Sequence, residues 1–138
     1  MTSRPLSDAD YRSLARFRHA LRRFEAFSEA AARAEGLAPA QHQLLLAIRG
    51  HPAETPSTSD VAEMLQVRVH SATELVARAQ FNGLVERVTD PDDGRRAMLR
   101  LTPTGEAHLA ALSVVHRDEL RRFRHEMNDV LEELDDPT

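Results

Sequence analysis

The feature that most constrains this chain is the placement of its helix breakers. Between Asp8 and Glu35 there is no Gly or Pro, and from Pro103 to about Leu134 nothing past the first turn interrupts a helix. Interior Gly and Pro cost a helix about 1 and about 3 kcal/mol relative to Ala, so two long helices are allowed here. Most of the other breakers fall between Gly36 and Pro103. The middle of the chain must therefore be a lobe of short elements bracketed by long helices.

Hydrophobic spacing fills in the elements. Leu14, Phe17, Leu21, Phe24 and Ala31 recur at spacings of three, four and seven, one stripe of an amphipathic helix that ends at Gly36. A second helix starts near Pro39, a first-turn residue. Leu44, Leu45, Leu46 and Ile48 make it apolar nearly all round, which predicts burial. Ser57-Thr58-Ser59-Asp60 has the pattern of a capping box, with an acid three residues after the cap. A short helix with Val61, Ala62 and Leu65 on one face follows, then a tight turn at Gln66 to Arg68. The next helix runs from about Val69 to Asn82. Ala72, Leu75, Val76 and Ala79 form its inner face, leaving Val69, His70, Ser71, Thr73, Glu74, Ala77 and Arg78 outward.

Leu84 to Val88 and Ala97 to Thr102 are β-prone, and the turn formers Asp90-Pro91-Asp92-Asp93-Gly94 lie between them. That predicts a hairpin with a long polar tip. Thr102 as N-cap and Pro103 at the first position open the last helix. Its apolar stripe shifts register near His116 to Asp118, which allows two helices with a bend. The fold class is therefore mainly α with a small β-hairpin.

Composition narrows the function. The chain has 138 residues and no Cys, which excludes a disulfide framework, thiolate metal sites and cysteine nucleophiles. No stretch of 18 apolar residues and no signal-peptide core are present, so a cytoplasmic protein with no membrane partner is expected. No Gly-rich phosphate loop, nucleophile elbow or paired-carboxylate motif is visible, so the chain is not read as an enzyme and no cofactor is expected. The His residues, among them His108, His116 and His125, lack ligand spacing, so no metal is expected either.

Short helix, turn, outward-polar helix and two-stranded hairpin, in that order, is a winged helix-turn-helix. The second helix offers polar side chains to major-groove edges, and arginines at the hairpin tip suit a narrow minor groove. At this point the residues resemble the MarR (multiple antibiotic resistance regulator) family. LAPAQHQLLLAI at 37–48 is similar to that family's second helix. The segment from Ser57 to Val88 is similar to its helix-turn-helix and first strand, and DPDDGRRAMLRLTPTGE at 90–106 to its wing and the helix start beyond.

The resemblance implies a winged helix-turn-helix, 37–102, flanked by dimerisation helices at 1–36 and 103–138. It implies a homodimer on a pseudo-palindromic double-stranded DNA operator, and a ligand-responsive repressor with a small aromatic or phenolic effector. Arg95 and Arg96 are the wing's candidate DNA contacts, with Asp93 expected to orient an arginine. His70, Ser71 and Thr73 are candidates for base and phosphate contact, and Ser57 and Thr58 for phosphate. From their position in that fold, Arg16, His19 and His42 are the candidates to line an effector pocket.

Two residues depart from the family pattern. Arg68 stands where Ser or Thr usually caps the recognition helix. It cannot accept from helix N–H groups but can reach a phosphate. Glu74 stands where many members carry a basic residue. An acid near DNA either accepts from a cytosine amino group or pairs locally, and Arg78 at i+4 is the expected partner. Arg78 itself is either that partner or a phosphate contact. The departures and the acidic balance motivate an alternative, a winged-helix protein-interaction module without specific DNA binding. The placement of the charge predicts a DNA face that is only slightly basic, with modest non-specific affinity. Segment 106–138 holds 4 Arg against 9 acids, whereas 68–100 holds 6 Arg against 5 acids, so the net charge of −4 sits away from the expected DNA face.

Overall fold

The computed structural model describes residues 4–134; the expected termini at 1–3 and 135–138, including the end of the acidic tail, lie outside the described residues. The order is α1 (Asp8–Ala34), α2 (Pro39–Arg49), α3 (Thr58–Leu65), α4 (Val69–Phe81), β1 (Val85–Thr89), β2 (Ala97–Leu101) and α5 (Pro103–Leu134). The two strands pair antiparallel, from Val85 opposite Leu101 to Thr89 opposite Ala97. Among the described residues no helix is long and apolar enough to cross a membrane.

The chain forms two compact units: residues 32–113, and the terminal segments up to Ala31 and from Val114. The first holds a dense core. Leu44, Leu45, Val61, Ala72, Val76, Ala79 and Leu99 are at most 1% exposed. The alternation on β2, exposed at Arg100 and buried at Leu99 and Leu101, turns its apolar side onto α2 and α3. Leu46 is 49% exposed, so α2 is not buried all round as its composition suggested: a helix of four leucine-like residues in five has one that must point away.

In the other unit, Ser13, Ala20, Ser28, His116 and Val130 are buried. Ser28 Oγ lies 2.9 Å from His116 Nε2, and the Phe24 and Phe27 rings pack edge-on to His116. The large residues of the α1 stripe are less covered: Phe17, Leu21 and Phe24 are half-buried and Leu14 is 42% exposed.

The last helix is continuous, not two. Its change of register falls where it leaves one unit for the other. Leu109 and Leu112 are buried in the first, His116 and Val130 in the second. A helix that serves two cores shifts its stripe without breaking.

Candidate nucleic-acid interface

Three local devices set the lobe's geometry. The Ser57 capping box is complete: Ser57 Oγ accepts from the Asp60 N–H at 3.2 Å, and Asp60 Oδ2 accepts from the Ser57 N–H at 2.9 Å. The helix-turn-helix turn passes through Gln66 in the left-handed region, φ 56°, without a glycine. Thr102 caps α5, accepting from the Gly105 N–H at 3.1 Å while donating to the Gly83 carbonyl at 2.6 Å.

The recognition helix α4 divides as its spacing predicts. Ala72, Val76 and Ala79 are fully buried, while His70, Ser71, Thr73, Glu74 and Arg78 are exposed. Arg68 sits at the N-cap with extended backbone and no side-chain cap bond, as its chemistry requires. The first N–H groups of α4 thus stay open to an incoming acceptor. Thr73 Oγ1 donates to the Val69 carbonyl at 2.9 Å, so in this arrangement it can accept from a base but has no proton left for a phosphate. Glu74 does not pair with Arg78. Its Oε1 lies 3.4 Å from His70 Nε2, one turn earlier. Arg78 instead borders a surface groove of about 320 Å³ with Gln41, Phe81 and Asn82.

The wing separates its two arginines. Asp93 Oδ1 accepts from the Arg95 backbone N–H at 3.1 Å, and the Asp93 carbonyl accepts from the Arg96 N–H. Asp93 therefore shapes the turn through the backbone, not by gripping a guanidinium. The carboxylate that grips one is Asp60, 2.9 Å from Arg96 Nη2. Arg95 has no carboxylate partner among the described residues and is exposed. A groove of about 470 Å³ opens between Ser57 to Asp60 of α3 and Asp93 to Ala97 of the wing. Ser57 and Thr58, the candidates for phosphate contact, line it. So does Ser59, next to Thr58 and singled out by no motif in the sequence.

The candidate effector residues fall in two different units. Arg16 and His19 border a cavity of about 360 Å³ with Ala15, Ala20, Arg23, Glu126 and Val130. His42 is buried in α2, in the other unit, and is not part of that lining. The inner face of α2 takes His42 into the core of its own unit. Arg16 is held by Glu133 at 2.6 Å, and Ser13 Oγ donates to the same carboxylate at 2.7 Å. The Ser13 hydroxyl, then the Arg16 guanidinium, hold Glu133 below the usual glutamate range. Among the described residues no group of His, Asp and Glu is arranged to hold a metal ion.

These residues were compared with known proteins. The MarR family model matches residues 35–96. A candidate transcriptional regulatory protein for the hcr operon of Thauera aromatica is 31% identical over 98 residues, 70% of this chain; the match spans 58% of that relative's length. A solved MarR family transcription regulator has a TM-score of 0.71 at 26% identity, over 83% of this chain and 75% of its own. A mutant MarR from E. coli, complexed with operator DNA, has a TM-score of 0.64 at 21% identity, over 77% and 75%. The helix-turn-helix and the wing up to Arg96 are thus similar to those of the MarR family, and the Leu-Thr-x-x-Gly continuation follows at Leu101 to Gly105.

Proposed function

We propose that this chain is a transcriptional repressor that binds a pseudo-palindromic DNA operator as a homodimer and is released by a small aromatic or phenolic effector. The observation that carries the reading lies within one compact unit. A helix with an exposed polar row and no side-chain cap at its start is joined to a wing whose Arg95 side chain has no carboxylate partner among the described residues. Open N–H groups at a helix start suit a phosphate, and polar side chains beyond it suit base edges. Segment 37–102 would carry this DNA contact, with 1–36 and 103–138 as the dimerisation helices. Tyr11, Leu14, Val115, Leu120 and Leu131 support that division, each being at least 42% exposed in a single copy. An effector binding the DNA-free state more tightly would release DNA to the extent of that difference.

The experiment is fluorescence anisotropy with DNA from upstream of the chain's own gene, across a salt series. The expected result is tight binding to one fragment, falling steeply with salt as arginines displace phosphate counterions. Weak binding that is equal on every fragment would replace this reading with that of a protein-interaction module.

A further inference from the structure

Arg96 is tied from three directions. Its N–H donates to the Asp93 carbonyl at 3.0 Å, and its own carbonyl accepts from the Asp90 N–H at 2.9 Å, so its backbone closes the wing tip. Its guanidinium reaches across the groove to Asp60 Oδ2 at 2.9 Å, the oxygen that also accepts from the Ser57 N–H. At the base of the wing, the Leu99 N–H donates to the Pro56 carbonyl at 2.8 Å, next to the same cap. The hairpin is thus fastened to the start of α3 at two points, one of backbone and one of charge.

We infer that Asp60 is a positioning residue for DNA binding, latching the wing to α3 through Arg96 so that Arg95 is presented in one place. The inference rests on the reading of this chain as a DNA-binding protein, and it gives two neighbouring arginines different tasks. Arg95 is the contact, and Arg96 is the anchor. The rival arrangement has Arg96 leave Asp60 for a phosphate. The two differ in sign. Asp60 is an acid at the rim of the DNA face. Under the rival arrangement, neutralising it removes a repulsion and a competitor, so binding tightens. Under the latch, neutralising it lets the wing drift, so binding weakens although the face has become more positive.

The test uses the full chain and four variants: Asp60→Asn, Arg96→Ala, the two together, and Arg96→Lys. Operator affinity is read by anisotropy at fixed salt. Amide hydrogen exchange of the wing is read in the DNA-free protein. The latch predicts that Asp60→Asn weakens binding roughly two- to fivefold, the reach of a partly exposed ion pair. It predicts that the double variant binds no worse than Arg96→Ala, because the pair acts as one unit. Arg96→Lys should recover part of the loss. The Asp90 and Arg96 amides should exchange faster in the Asp60→Asn and Arg96→Ala proteins without DNA. Equal or tighter binding by Asp60→Asn, or unchanged wing exchange in the free protein, overturns the latch. If the unaltered chain binds no upstream DNA, the DNA-binding reading falls, and the exchange measurement still decides whether the latch exists.

Discussion

Arg95 and Arg96 are adjacent and chemically identical, yet the fold separates them by what each can reach. The Arg95 side chain keeps its full complement of donors for an outside acceptor, because Asp93 engages only its backbone. Replacing it with Ala should therefore weaken operator binding by about 1–3 kcal/mol. Titrations of both proteins at moderate salt check this, and an unchanged affinity would remove Arg95 from the interface. The turn formers and the basic pair made the wing tip legible from sequence alone. The Arg96 partner was not, since Asp60 lies 36 residues earlier and no local spacing links them. Glu74 fails for a different reason. His70 and Arg78 both stand four residues away, one on each side, so periodicity offers two equal partners. Only the side-chain geometry selects His70.

At the level of elements, the caps were readable and their consequences were not. Ser7 and Asp10 form the same reciprocal pair as Ser57 and Asp60, at the start of α1. The S-x-x-D spacing of Ser7 and Asp10 is the signal in the sequence that marks it. Asp60 is held below its ordinary pKa of 3.8, first by the Ser57 backbone N–H, with the Ser57 hydroxyl, Arg96 and His51 adding to it against a small cost of burial. A folded-state pKa below the unfolded one contributes stability above the unfolded value, and that contribution is lost as the pH falls through the folded one. Thermal midpoints of the unaltered chain and Asp60→Asn should therefore differ most near neutrality and converge below about pH 4. A gap that stays constant into acid would mean that the charge of Asp60 does not support the fold. Gly105 is the sharper case. It belonged to the Leu-Thr-x-x-Gly string, but the string does not say why glycine is needed. A Cβ there would lie 2.1 Å from the Leu84 carbonyl oxygen, where the cap of α5 passes over the start of β1. Gly105→Ala should cost about 3 kcal/mol, the upper range for overpacking. Gly94→Ala, with nothing within 4 Å, should change stability by no more than about 0.5 kcal/mol. Denaturant melts of the two variants make the comparison, and equal midpoints would contradict the close approach.

At the scale of the whole molecule, the two compact units are unequally finished. The unit of residues 32–113 buries large side chains completely, Leu44, Leu45 and Leu99 among them. The unit of the terminal segments buries serines, an alanine, a histidine and one valine, and leaves Tyr11, Leu14, Leu120 and Leu131 between 42% and 60% exposed. The long helices were legible from the missing Gly and Pro, and their stripes announced that something covers them. A stripe does not say whether the cover is the same chain or another copy, because both remove the same apolar surface from water. The exposures supply the contrast that a mutation can use. If water is the true neighbour of Leu14 and Leu131, replacing each with Glu changes stability by no more than about 0.5 kcal/mol. If a second copy covers them, each Glu places an unpaired charge in an apolar interface, a cost of several kcal/mol for the assembly. Sedimentation equilibrium should then find the unaltered chain at twice its monomer mass and both variants shifted toward the monomer. Their thermal midpoints should fall, and should depend on protein concentration less steeply than those of the unaltered chain, because a monomer gains nothing from mass action. A monomer in all three proteins, with matching midpoints, would leave a single winged helix with one recognition helix, and a palindromic operator would no longer follow.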